Sequence, residues 1–287
     1  MSSAITTSGV AQRSGGSSRK RRRSKYHRIN WWLTAVIAVC SLTVLVPLYF
    51  TFATALKTPA EAGTFSLPTT WEWGNFVEAW NTVNYPRVAL NSAIVTVGAV
   101  LLTLLTNTFV AYAVARNMDK RWFRFCYFFF IAAMFVPFTV IMLPIAKETG
   151  FLHLDNKIGL MILYMIFGLG TNLFIAVGFI RSIPISLEEA ARVDGAGTWR
   201  IFWTIIFPLM GPINSTIAII TCLWAWNDFL LPLIMLSDSS DQTIPLAQYV
   251  FQSQFTANYP VAFSSYLMAM APVLIVYVFA QKWVIGG

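Results

Sequence analysis

Six long apolar runs dominate the chain, at residues 31–54, 88–114, 125–146, 158–180, 201–236 and 261–285. A hydrocarbon core about 30 Å thick, crossed at 1.5 Å per residue, takes roughly 20 apolar residues, so each run predicts one membrane-spanning helix. The fifth run is 36 residues long, short of the roughly 40 that two spans and a turn need. It reads as one span preceded by an interfacial turn and broken near Pro208, Gly211 and Pro212. The first run follows a basic stretch, and Ala53-Thr54-Ala55 resembles a small-residue cleavage site. Its apolar region is longer than the roughly 7 to 15 residues of a signal peptide, which favours a retained helix. The predicted class is all-α: a polytopic membrane protein with six transmembrane helices. A basic, disordered N-terminal tail (1–30) precedes the first helix (31–54). An external loop (55–87) leads to a five-helix core (88–287), which carries a cytoplasmic connection at 181–200 and a second external loop at 237–260.

Composition supports that class. Of 287 residues, 57% are hydrophobic and only 11% charged, against about 25% charged in a soluble domain. The net charge of +8 is explained by where it lies. Lys and Arg number sixteen on one side of the six spans, eight of them before the first, and four on the other. The positive-inside rule therefore places both termini of this multi-pass protein in the cytoplasm. The stretch Arg19 to Arg28 suits anionic lipid headgroups and not nucleic acid. Cys40, Cys126 and Cys222 lie far apart in apolar runs, and the two histidines, His27 and His153, are too few for a usual metal site.

The spans lack the groups that chemistry or proton transport would need. They contain one acid, Asp228, and one base, Lys282, which is close enough to an end to snorkel. No H-E-x-x-H occurs, and no glycine is followed by lysine, so no phosphate loop exists. No catalytic, metal or cofactor residue is expected. A protein of this kind either conducts passively or borrows its energy from another subunit.

The connection 181–200 carries the most information. Pro184 ends what precedes it, Ser186 and Glu189 have capping-box spacing, and Leu187 to Val193 predict a short helix stopped by Gly195 and Gly197, with Thr198 capping the next segment. From physics alone this is either an interfacial connector or a docking knob. Small alanines favour the knob by allowing close approach, and Glu188 and Glu189 offer carboxylates to a basic partner. Glu189-Ala190-Ala191, then Gly195 after three residues, then Ile205 and Pro208 after nine more, resemble the EAA signature of the membrane subunits of bacterial binding-protein-dependent ABC importers, with Phe207 in place of the usual Leu. Asp194-Gly195-Ala196 also fits the family's common form. The likeness covers about residues 88–285, and the first span is similar to the second permease of maltose-type, sugar-importing systems.

That resemblance implies a type I importer permease moving a carbohydrate, such as a di- or oligosaccharide, inward by alternating access. It implies three protein partners: a homologous second permease, an ABC ATPase dimer where ATP and Mg bind, and an external substrate-binding protein, in addition to the membrane lipid that the basic stretch suits. Glu188, Glu189, Ala190, Ala191, Asp194, Gly195 and Ala196 would form the ATPase-coupling site, with Glu189 as the ionic contact. Gln242, Gln248, Gln252, Gln254 and Asn258 are candidates for contact with the binding protein. Asn107, Asn172, Trp224, Trp226, Asn227 and Asp228 are candidates for the substrate pathway, since sugars use aromatic platforms and hydrogen-bonding groups. Their alternative role is to glue helices together. The rival readings are the same machine with a non-sugar substrate, or a stand-alone secondary transporter or channel.

Overall fold

A stripe of small and polar residues decides how the helices meet. In α3 (Tyr85–Arg116) the buried positions include Ser92, Val95, Thr96, Ala99, Thr103, Asn107, Ala111 and Tyr112, recurring every three or four residues along one face. Lipid tails are as apolar as leucine, so helices in a membrane associate through close packing and interhelical hydrogen bonds, and small side chains permit both. Opposite α3 lies α6 (Lys157–Ser182), which buries Gly159, Leu160, Tyr164, Asn172, Leu173, Ala176 and Ile180. This is the most extensive helix pair in the molecule. Asn107 Nδ2 donates across it to the Met165 carbonyl at 3.1 Å.

The computed structural model describes residues 31–253 and 258–285. The tail expected at 1–30 lies outside them, as do the side chain of Lys282 and the residues after 285. Contacts divide the chain into two units, Met1–Pro47 and Leu48–Gly287. In the first unit, residues 31–47 of α1 (Trp31–Ala55) are helical and exposed throughout. An apolar helix exposed all round suits lipid rather than water.

The second unit begins with the end of α1, where Ala53, Thr54 and Ala55 are buried. A loop with one 3₁₀ turn leads to the short α2 (Gly74–Thr82) and then to α3. After α3 come α4 (Arg121–Ala133), α5 (Phe138–Phe151) and α6. Next are α7 (Ser186–Val193), α8 (Thr198–Ile201), a π-helical turn Phe202–Ile206, α9 (Phe207–Leu209) and α10 (Gly211–Asn227). The chain ends with α11 (Leu230–Met235), α12 (Ile244–Ala247), α13 (Val250–Ser253) and α14 (Tyr259–Ile285). The described residues contain no strand. Three helices among them, α1, α3 and α6, are long and apolar enough to cross a membrane.

Two further apolar segments are bent helix pairs, each long and apolar enough to cross if its two helices count as one span. The fifth run breaks where it is expected to: Thr198–Leu209 meets Gly211–Asn227 at 77°, with prolines 208 and 212 flanking the break and removing two backbone donors. The third run differs from the single straight span expected at 125–146. It is α4 and α5, joined at 105°, because Pro137 caps α5 in an extended conformation and Met134 to Val136 turn tightly before it. The close approach of α4 to α6 depends on Gly170, where a Cβ would stand 2.6 Å from the Phe130 carbonyl oxygen.

The buried residues form three clusters. One gathers Ala111, Tyr112, Val177, Ile180, Phe202, Ile206 and Met210 at the α7 end. A second joins Val95, Leu160, Tyr164, Leu231 and Met235. The third packs α2 and α12 onto Val88 and the start of α14.

Candidate functional site

The helix expected at 187–193 forms as α7, Ser186–Val193. Its C-terminus closes as a Schellman turn: Gly195 sits at φ +79°, its N–H donates to the Arg192 carbonyl at 3.0 Å, and the Ala196 N–H donates to Ala191 at 2.9 Å. The capping box does not form. Ser186 is already helical and makes no cap bond, because the first amides, those of Leu187, Glu188 and Glu189, are taken by the Pro184 and Ile185 carbonyls. Thr198 likewise caps nothing, since Gly197 occupies the cap position of α8. Instead α8 docks by stacking Trp199 on Phe109 of α3, with ring centroids 4.5 Å apart.

Two adjacent glutamates face opposite ways. Glu188, expected to offer its carboxylate outward, is fully buried. Its Oε1 takes Arg116 Nε at 2.6 Å, and its Oε2 accepts the Tyr112 hydroxyl at 2.8 Å and lies 3.5 Å from Arg192. Arg116 also donates to the Ile183 carbonyl at 3.1 Å. The reason is positional: Glu188 shares the inner face of α7 with Ala191, which packs on the α3–α6 core. Glu189, Ala190 and Asp194 are exposed, as are Leu187 and Val193. The outer face therefore carries an apolar ridge, Leu187–Ala190–Val193, flanked by acids. Sequence reasoning missed Tyr112 and Arg116. The available signal was their i, i+4 spacing at the end of the second run, with an arginine to pair with the Glu188-Glu189 doublet of the next cytoplasmic connection.

The pathway candidates separate into three groups. Asn172, Trp224 and Asp228 line one cavity of about 750 Å³ between the α4–α5 bend, α6, α10 and α11. Asp228 Oδ2 accepts the Tyr164 hydroxyl at 3.0 Å and Oδ1 accepts the Leu230 N–H at 3.2 Å. Tyr164, which the sequence did not mark, also meets Trp224 edge-on at 5.2 Å. Trp226 and Asn227 lie on another side of α10, in a cavity of about 390 Å³ beside α12 and α14. Asn107 is buried between α3 and α6 and acts as helix glue.

The binding-protein candidates are partly tied down. Gln248, expected to offer a free amide, donates it to the Ser265 carbonyl and hydroxyl of α14 at 3.0 and 3.2 Å. Gln242 is half-buried, and its carbonyl accepts from Asn91 at 3.0 Å. Nearby, Lys157 pairs with Asp241 at 2.9 Å and donates to Asn91 at 3.1 Å, holding this loop against α3 and α6. Asn258 is half-buried, its Oδ1 without a hydrogen-bond partner among the described residues. The side chain of Gln252 and all of Gln254 lie outside the described residues.

Residues 107–285 match the profile of a family described as binding-protein-dependent transport system inner membrane component. The chain is 37% identical over 278 residues to the multiple sugar-binding transport system permease protein MsmG of Streptococcus mutans, covering 92% of this chain and 97% of that one. It is 33% identical to a probable starch degradation products transport system permease protein, AmyC of Thermoanaerobacterium thermosulfurigenes, over 90% and 94% of the two chains. The melibiose/raffinose/stachyose import permease protein MelC of Bacillus subtilis is 32% identical, over 92% and 96%. Among solved structures, a bacterial ABC transporter involved in import of the acidic polysaccharide alginate has a chain that superposes with a TM-score of 0.75 at 23% identity, covering 90% of this chain and 98% of that one. At that identity the likeness establishes the fold.

Proposed function

The chain belongs to the family of binding-protein-dependent transport system inner membrane components, and on that premise we propose that it is a permease subunit of an ATP-driven ABC importer that carries a carbohydrate into the cytoplasm. Three relatives that match nearly end to end are named for sugar or starch-product transport. The observation that carries the reading is the two-faced α7. Its inner face is clamped to α3 through Glu188, Arg116 and Tyr112, and its outer face leaves Leu187, Glu189, Ala190 and Val193 free for another protein.

Such a helix transmits force. A separate ATPase pair, holding ATP and Mg, engages the outer face, and its closure moves α7. A buried, hydrogen-bonded ion pair passes that displacement to α3 without slack, because separating the charges in a low-dielectric interior is costly. Helix α3 then carries α6, its most extensive partner, and the two walls of the pathway shift together. The transition is a two-state equilibrium biased by nucleotide on one side and by a substrate-loaded external binding protein on the other. A homologous second permease completes the pore, and the charge asymmetry supports cytoplasmic termini.

The experiment is uptake into membrane vesicles holding the chain with the ATPase and second permease that co-purify with it. Glu189→Lys is expected to abolish sugar uptake and the stimulation of ATPase activity while the subunits still co-purify. Undiminished uptake in that variant, or recovery of this chain alone after crosslinking in intact membranes, would point instead to a stand-alone carrier or channel.

A further inference from the structure

The cavity beside the α4–α5 bend contains more unspent polar chemistry than helix packing requires. Asn172 is 2% exposed, and its Nδ2 has no hydrogen-bond partner among the described residues. A buried donor left without an acceptor costs free energy, so such groups are rare unless a ligand or water completes them. Asp228, on the same cavity, accepts the Tyr164 hydroxyl and the Leu230 N–H, which fix its carboxylate against the cavity wall. Trp224, pinned edge-on by Tyr164, keeps 39% of its surface exposed. The remaining wall is largely apolar, with Phe129, Phe167 and Ile220 among its residues.

Resting on the carbohydrate reading above, we propose that this cavity is a binding site for an uncharged sugar, with Trp224 as the platform for a C–H ring face and Asn172 and Asp228 as the hydroxyl partners. A volume of about 750 Å³ falls within the roughly 300–1,000 Å³ of ligand pockets that combine apolar walls with a few convergent polar groups. The charge class follows from the lining. No Lys, Arg or His lines the cavity among the described residues, and its one ionisable group is an acid. A uronate or sugar phosphate would enter a desolvated space without a counter-charge. An acyl chain would fill the volume but leave Asn172 unanswered. Of the six pathway candidates, this site uses three, and Asn107, Trp226 and Asn227 lie outside it.

The test uses the complete transporter in proteoliposomes, with its ATPase, second permease and binding protein. Uptake of raffinose, maltotriose and cellobiose identifies a transported neutral sugar, and trigalacturonate serves as the anionic control. Trp224→Ala and Asn172→Leu are each expected to lower the maximal uptake of that sugar at least about tenfold, while the variant subunit still co-purifies with the ATPase and second permease. Trp224→Tyr, which keeps a ring, should restore most of the uptake, and it carries the test with Asn172→Leu should the alanine variant fail to assemble. Unchanged uptake in Asn172→Leu and either tryptophan variant, or transport of trigalacturonate in preference to the neutral sugars, would overturn the site. Uptake of no sugar by the unmodified transporter would overturn the carbohydrate reading itself.

Discussion

The α7 junction and the α10 cavity handle polar groups in opposite ways. At the junction both oxygens of Glu188 are spent within the chain, on Arg116 and Tyr112, and the side chain is fully buried. In the cavity the Asn172 Nδ2 is nearly as buried and has no hydrogen-bond partner among the described residues. A completed polar network is rigid and suits transmission, since its members gain nothing by letting go. An incomplete one costs stability and suits a ligand, which can supply what is missing. The difference assigns mechanical work to one region and recognition to the other.

The comparison can be broken most severely at Glu188. Glu188→Ala leaves Arg116 largely buried without its carboxylate and should cost about 3 kcal/mol or more, read as a fall in the unfolding midpoint of the purified subunit in detergent. Gly195→Val forces a β-branched residue into a left-handed conformation at φ +79° and should cost roughly 1–2 kcal/mol, with α7 losing its defined exit. Limited proteolysis of the 181–200 loop would reveal it. Glu189→Lys sharpens the contrast: one residue away from Glu188, but exposed, it should leave stability within about 0.5 kcal/mol while uptake disappears. Equal destabilisation by the Glu188→Ala and Glu189→Lys variants would erase the two-faced picture of α7.

Asn172→Leu tests the cavity in the other direction. Removing a buried amide that has no partner, with volume conserved, should leave the unfolding midpoint unchanged or raise it by an amount worth about 1 kcal/mol, although uptake falls. A loss of stability there would mean that the amide is structural. The smallest effect is at Asp238, in the loop that follows α11. The Ser240 backbone N–H, donated to its carboxylate at 2.7 Å, holds that acid below the usual carboxylate range. The contribution is present above the unfolded-state value near 3.8 and is lost as pH falls through the lowered one. Amide exchange at Ser240 should therefore quicken only under strongly acid conditions, with uptake unaffected near neutrality.

Much of the architecture was legible. Apolar runs marked α1, α3 and α6 as helices long enough to span, because membrane thickness fixes that length, and the α9–α10 break followed from two prolines that lack an N–H. Gly195 was legible as a left-handed stop. The bend between α4 and α5 was not, although Pro137 lies in that run: proline permits a continuous helix when neighbours take the freed carbonyl, and only the surrounding packing decides between a kink and a turn of 105°. The capping box was misread because a serine three residues before a glutamate has the right spacing whether or not the helix has already begun one turn earlier.

What the amino-acid order determined by itself was the helical class, the EAA loop and its glycine turn, and the absence of a phosphate loop, since each depends on composition or on neighbours along the chain. Tertiary structure alone decided that Glu188 turns inward and Glu189 outward, that Gln248 is spent on α14, and that Asn172, Trp224 and Asp228 share a cavity from which Trp226 is excluded. In a soluble helix the apolar stripe reveals the inner face. In a membrane both faces are apolar, so the rotation of each helix about its axis is set by small-residue contacts and a few polar pairs that one sequence does not pair off.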